Sequence, residues 1–151
     1  MINKEIVAAL RENLGEKHIL KITAPRSRRI FVFAKRNCFK EVILFLNSIG
    51  FTHLSTITGC QNSEGSIEIL YHFENQGTLV TVRVSLPINV GSLSTITDIV
   101  PGSVLYEREI HDLFGIKFEG HPDLSRLILP DEWPNESYPL NKNTSSLTTQ
   151  K

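Results

Sequence analysis

Ile2, Ile6, Leu10 and Leu14 recur every four residues, with Asn3 placed to cap and Gly15 following. That spacing predicts an amphipathic helix that stops in the left-handed region at the glycine. Arg29–Ala34 is rich in β-branched and aromatic residues and follows the Pro25 turn region, so it predicts a strand. Asn37 is placed to cap a second helix running to about Ile49, with Gly50 at its end. The apolar positions of this helix (Phe39, Val42, Ile43, Phe45, Leu46, Ile49) cover a wide arc, which predicts extensive burial. The hydrophobic period then shortens from helical to alternating. His53–Cys60 is a strand candidate, Ile67, Ile69, Tyr71 and Phe73 share one strand face, and Val80, Val82, Val84 and Leu86 share another. Turn sequences at Asn62–Gly65 and Asn75–Thr78 join them into an antiparallel meander.

After Pro87, Ser92–Val100 predicts a short helix ending at Pro101-Gly102, and Ser103 is placed to cap another helix from Val104 to about Phe114. Ile116–Phe118 is brief and extended. From Gly120 onward, Pro122, Pro130, Pro134 and Pro139 fall within twenty residues, and the last residues are polar. The pattern implies an α+β fold: an antiparallel or mixed sheet with helices packed on one face, then a helix and an extended C-terminal strip. Residues 1–130 form the expected domain. Residues 131–151 form a tail that is either frayed or laid on another protein, with Trp133, Tyr138 and Leu140 as apolar anchors on an unsupported strip.

The 151 residues are 40% apolar and carry 16 basic and 16 acidic side chains, the balance of a single globular domain. No apolar run approaches the roughly 20 residues of a membrane-spanning helix, and no signal-peptide pattern opens the chain, so a cytoplasmic protein is expected. The charge is uneven: residues 1–40 hold ten Lys/Arg against three acids. The Arg26–Lys40 cluster raises a nucleic-acid-binding module as an alternative. Phe31 and Phe33, however, lie in a run that reads as a core strand rather than an exposed stacking surface. Cys38 and Cys60 belong to no metal-binding spacing and read as small buried hydrophobes.

The densest polar stretch is Glu107–Asp112. On a helical wheel Leu105, Tyr106, Ile110, Leu113 and Phe114 span half the circumference with Glu109 among them, while Glu107, Arg108, His111 and Asp112 fall opposite. Arg108 and Asp112 are spaced for an ion pair one turn apart. An inward Glu109 needs a cation, with Arg83 and Arg126 as internal candidates. Glu109, His111, Asp112, His121 and Asp123 hold enough ligand atoms for a metal, which keeps open a stand-alone metal-dependent hydrolase using His111, Asp112 and His121. Their spacing matches no established ligand motif, and no nucleophile elbow or phosphate loop is present. The residues therefore favour a binding subunit over an enzyme.

Glu107-Arg108-Glu109, Asp112-Leu113-Phe114-Gly115, Gly120-His121-Pro122-Asp123-Leu124 and Leu129-Pro130-Asp131-Glu132-Trp133 follow one another within 27 residues. This run closely resembles the signature of the thirty-kilodalton (C) subunit of respiratory complex I, the NADH:quinone oxidoreductase. Similar chains occur in F420H2 dehydrogenase and in membrane-bound energy-converting hydrogenases. The resemblance departs at Ser125, where a basic residue is usual, at His111, where an aromatic is usual, and at Asn141 and Asn143, which stand for Arg and Asp. It implies a scaffolding subunit with no catalytic residue, metal or cofactor of its own. FMN or F420, iron–sulfur clusters and quinone would belong to other chains of the parent complex. The implied partners are the large hydrogenase-like subunit that forms the quinone site and neighbouring iron–sulfur subunits, on the cytoplasmic side of the membrane and without a span of its own. Carried over, Glu107, Arg108, Glu109 and Asp112, with Phe114 and Gly115, orient the signature helix. His121, Asp123 and Arg126 would fix the turn after it, and Trp133, Tyr138, Pro139, Leu140 and Lys142 would dock on the large subunit.

Overall fold

The computed structural model describes residues 2–142. A twelve-residue helix, α1 (Ile2–Asn13), buries Leu10 completely and packs Ile6 and Val7 against the core, joined by Leu14 just after it. Gly15, at φ +58°, ends it as expected and opens a single helical turn, α2 (Gly15–His18). Asn3 lies inside α1 rather than capping it. Its side-chain amide donates to Arg26 O (2.8 Å) and its Oδ1 accepts from Arg28 N (3.1 Å), tying the helix to the next hairpin.

That hairpin contains an unexpected strand. β1 (Ile19–Arg26) pairs antiparallel with β2 (Arg29–Ala34) although it contains Pro25, and it can do so because it is the edge strand of the sheet. In β2 Ile30, Val32 and Ala34 point into the core, whereas Phe31 and Phe33 are half-exposed on the opposite face, not buried as the apolar run suggested. α3 (Phe39–Ser48) buries Phe39, Val42, Ile43 and Leu46 and leaves Leu44 and Ile49 exposed. Its first residue is preceded by Cys38, without a side-chain cap, so Asn37 does not play the expected role. The cysteines are not core hydrophobes either: Cys38 is half-buried and Cys60 is exposed.

The meander forms as the alternation predicts. β3 (His53–Gln61), β4 (Ile67–Asn75) and β5 (Thr78–Leu86) pair antiparallel, and β5 also pairs parallel with β2, giving the order β1-β2-β5-β4-β3. Gln76 and Gly77, both at positive φ, make the two-residue turn between β4 and β5. The inward faces of β4 and β5 meet α3, where Phe39 stacks on Tyr71, and Tyr71, Phe73, Val80, Val82, Val84 and Leu86 are fully buried.

Ser92–Val100 is not a helix. β6 (Ser92–Ser94) pairs parallel with β7 (Lys117–Glu119), and the chain then turns tightly, Val100 N donating to Ile96 O at 2.7 Å. A single 3-10 turn, Pro101–Ser103, leads into α4 (Val104–Phe114), which Gly115 closes at φ +76° with its N–H on His111 O. Ser103 makes no side-chain cap, and its buried hydroxyl has no hydrogen-bond partner among the described residues. No helix among the described residues is long and apolar enough to cross a membrane.

Candidate functional site

α4 lies between the domain core and the segment that follows it. Ser103, Glu107, Ile110 and Phe114, spaced by four, three and four residues, form the stripe that faces the core. The stripe crosses β3 at Gly59, where a Cβ would sit 2.6 Å from the Phe114 ring and 3.0 Å from Ile110 Cδ1. This inward face is rotated from the one the apolar pattern indicated. Leu105 is exposed, and Glu109 is half-buried with no hydrogen bond or ion pair to any described residue. The cations considered for Glu109 are engaged elsewhere: Arg83 binds Glu68, and Arg126 binds backbone carbonyls.

The buried carboxylate is instead Glu107. Its Oε1 accepts from Ile96 N (2.8 Å) and its Oε2 from the Thr95 hydroxyl (2.5 Å), both supplied by the turn after β6. Burial pushes its carboxyl above the usual range, partly opposed by these two hydrogen bonds. His121 is equally buried, with Nε2 3.9 Å from Glu107 Oε2. Its Nε2–H donates to Val104 O (3.0 Å) while Nδ1 accepts from Asp123 N (3.0 Å), an arrangement that fits the neutral ring. Tyr71 OH is buried without a partner among the described residues. Burial and then the Glu107 charge hold its phenol well above its ordinary value.

Asp112 is buried on the opposite side of α4, beneath residues 121–142, which form a strap over the helix. Its Oδ2 accepts from three successive backbone amides, Leu127 (2.9 Å), Ile128 (2.8 Å) and Leu129 (3.2 Å). Burial alone would raise its carboxyl, but the three N–H groups outweigh that effect and leave it below its ordinary value. Arg108 does not pair with Asp112. Its guanidinium donates to Ser125 O, Ser125 Oγ and Arg126 O, at 2.9–3.1 Å. Asp123 accepts from Ser125 N and Ser125 Oγ, which holds its carboxyl low. Ser125, a departure from the family pattern, is thus a shared partner of Arg108 and Asp123. Arg126 reaches forward to Pro130 O (2.9 Å), Asp131 O (3.0 Å) and Asn135 Oδ1 (3.1 Å), and Trp133 Nε1 donates to Ser137 O (2.8 Å).

The end of the strap is bonded back to the domain rather than unsupported. Leu140 N donates to Leu113 O (2.9 Å), Asn141 Nδ2 to Phe114 O (2.9 Å) and Lys142 N to Gln61 Oε1 (2.6 Å). These bonds satisfy two of the carbonyls that α4 leaves open at its C-terminus. Tyr138 packs over Gly115 so closely that a Cβ there would enter its ring. Asn141, a departure from the family pattern, thus closes the end of α4. Asn143 and the rest of 143–151 lie outside the described residues. Pro139 and Leu140 stay exposed, as do Leu105, Leu127 and Ile128.

The proposed metal ligands are not gathered. His111 Nδ1 is bonded to Ile116 O, His121 to Val104 O and Asp112 to the strap, and no group of three candidate ligands converges among the described residues. Two cations of the Arg26–Lys40 cluster are engaged within the domain: Arg28 binds Gln76 O, and Lys40 pairs with Asp98 at 3.0 Å. The half-exposed Phe33 ring is already covered by Arg83 (4.7 Å) and Lys21 (5.8 Å).

Residues 32–150 match the family described as respiratory-chain NADH dehydrogenase, 30 Kd subunit. The chain belongs to that family. Among curated members, the C/D protein of the NADH-quinone oxidoreductase of Acinetobacter baumannii (strain AYE) is 31% identical over 96% of this chain and 26% of its own length. Formate hydrogenlyase subunit 5 of Escherichia coli (strain K12) is 36% identical over 77% of this chain and 21% of its own length. The chain therefore spans about a quarter or less of these relatives. Among solved structures, a chain of the membrane-bound sulfane sulfur reductase, an archaeal respiratory membrane complex, superposes with a TM-score of 0.84 at 26% identity, over 95% of this chain and 85% of that one. A trypsin-resistant fragment of Nqo5 superposes with a TM-score of 0.67 at 28% identity, covering 82% of this chain and all of the fragment. The α+β fold of the thirty-kilodalton subunit, expected from the signature, is the fold found, and the signature run forms α4 and the strap over it.

Proposed function

We propose that the protein is a non-catalytic scaffolding subunit in the peripheral arm of a complex-I-like oxidoreductase, bound to the hydrogenase-like large subunit that forms the quinone site. The observation that carries this reading is family membership over residues 32–150. A second supports it. In the C/D relatives the counterpart of this chain is about a quarter of one longer polypeptide, and in formate hydrogenlyase subunit 5 it is a fifth, so a domain of this kind is repeatedly tied covalently to a larger one.

The exposed apolar side chains Leu127, Ile128 and Leu140 lie on the strap and Leu105 on an uncovered part of α4, a pattern suited to a partner surface. Trp133, Tyr138, Pro139, Leu140 and Lys142 then present a strap already shaped by its own domain, which lowers the ordering cost of docking. On this reading FMN or F420, the iron–sulfur clusters and quinone are held by other chains, and the subunit lies on the cytoplasmic side of the membrane without crossing it.

The test is purification of the tagged full-length chain from its own cells in mild detergent, beside a version lacking residues 131–151. Co-purification of a hydrogenase-like large subunit and cluster proteins, weakened by the deletion, is expected. A chain that purifies alone from both preparations refutes the proposal.

A further inference from the structure

The two edges of the five-stranded sheet are treated differently. β3, at one end, is backed by α4, with Tyr106 OH bonded to Ser55 O (3.0 Å) and Phe114 against Gly59. β1, at the other end, pairs only with β2. Over Leu20–Ala24 its outward edge makes no hydrogen bond to another element among the described residues. Unpaired edges of this kind recruit strands.

The space beside this edge is a trough between β1 and α1. One cleft of about 490 Å³ is lined by Arg11, Leu20, Lys21 and Ile22, and a second of about 290 Å³ by Lys4, Val7 and again Arg11. Leu20 is 68% exposed, the most exposed large apolar side chain among the described residues. Lys4, Arg11 and Lys21 form no salt bridge among the described residues, Lys21 lying only 5.8 Å over the Phe33 ring, and Glu16 is the one acid in either lining. The trough thus combines unpaired backbone, an apolar floor and a positive rim, features that match an extended segment alternating apolar and acidic side chains. A second copy of this edge is a poor occupant, because it would bring the same cations into opposition.

We propose that the β1 edge and the facing side of α1 dock an extended acidic segment of another subunit, which adds a sixth strand to the sheet. The proposal rests on the assembly reading above and deepens it by naming a second contact, on the side of the domain away from the strap.

The test uses the complex purified in mild detergent from its own cells. A zero-length carbodiimide coupling joins a lysine amine to a carboxylate in contact with it. Lys21 or Lys4 is expected to couple to an aspartate or glutamate of another subunit. The amides of Leu20–Ala24 are expected to exchange at least about tenfold more slowly in the complex than in the isolated full chain. In the double variant R11E/K21E, still held in the complex by the strap, these amides are expected to return to the rate of the free chain. A complete complex with unprotected β1 amides refutes this proposal alone. So does coupling to a second copy of this chain, or protection that R11E/K21E leaves unchanged. A wild-type chain that brings down no other subunit refutes the assembly reading and this proposal with it.

Discussion

Replacing Asp112 with alanine removes the one acceptor shared by Leu127, Ile128 and Leu129 N–H. Each lost bond is worth about 1 kcal/mol net, so the strap loses about 3 kcal/mol of its hold on α4. At about 1.4 kcal/mol per tenfold, its local opening becomes about a hundredfold more frequent. Because the core stripe of α4 is untouched, the loss is local, and global unfolding by urea shifts little. Amide exchange read residue by residue is the assay: Leu127–Leu129 should speed up about a hundredfold in D112A. D112N keeps an acceptor without its charge and should fall between D112A and wild type.

The wild type also carries a pH signature. The folded carboxyl binds its proton less readily than its ordinary value of 3.8, so its contribution is complete above that pH and is lost as the pH falls through the lower folded value. D112N should abolish that acid step. Leu127–Leu129 amides in D112A that stay as slow as in wild type would refute the reasoning, and so would an acid step that survives in D112N.

Two further predictions concern the inward side of α4. Gly59→Ala places a Cβ 2.6 Å from the Phe114 ring and should cost about 1–3 kcal/mol in urea unfolding, with Phe114→Leu in the same chain recovering part of it. Glu107 has the opposite linkage to Asp112. Its folded carboxyl holds a proton more readily than its ordinary 4.5, so its contribution falls as the pH rises through and above that value. E107Q, which keeps an acceptor for Ile96 N–H, should therefore match or exceed wild-type stability at neutral pH and flatten the pH dependence. Unfolding midpoints between pH 4 and 8 decide this, and a large loss for E107Q at pH 7 would count against it.

The elements most legible in the sequence are those whose partners are close along the chain. β4 and β5 alternate cleanly because each has one buried face and a neighbour two residues away across a tight turn. β1 and β6 were not legible for the converse reason. Pro25 is permitted only because β1 has a free edge, and Ser92–Ser94 is a strand only because Lys117–Glu119, far along the chain, lies beside it. The orientation of α4 was misjudged because apolar count was the guide. Glu107 goes inward since Thr95 and Ile96 wait there with donors, and Leu105 goes outward, 56% exposed, with no described residue covering it. A signal for the Asp112 site was present: Leu127-Ile128-Leu129 has no strand partner in sequence, so its three amides needed an acceptor, and Asp112 supplies one. The helix Val104–Phe114 was legible in its own pattern, whereas the fold-back of the strap over it, and the role of Asn141 at its end, depend on bonds across up to 27 residues and were invisible.

The strap also sets an order of events during synthesis. A chain growing from its N-terminus can pair all five strands of the large sheet as soon as β5 has emerged, because every strand partner in it precedes residue 87. α4 is different: Asp112 and the carbonyls of Leu113 and Phe114 wait for residues 127–141, which the ribosome delivers after the helix itself. A nascent or prematurely terminated chain therefore displays a finished sheet beside an unsealed helix. That gives a chaperone or protease a surface by which to tell a chain still lacking the strap from one that carries it.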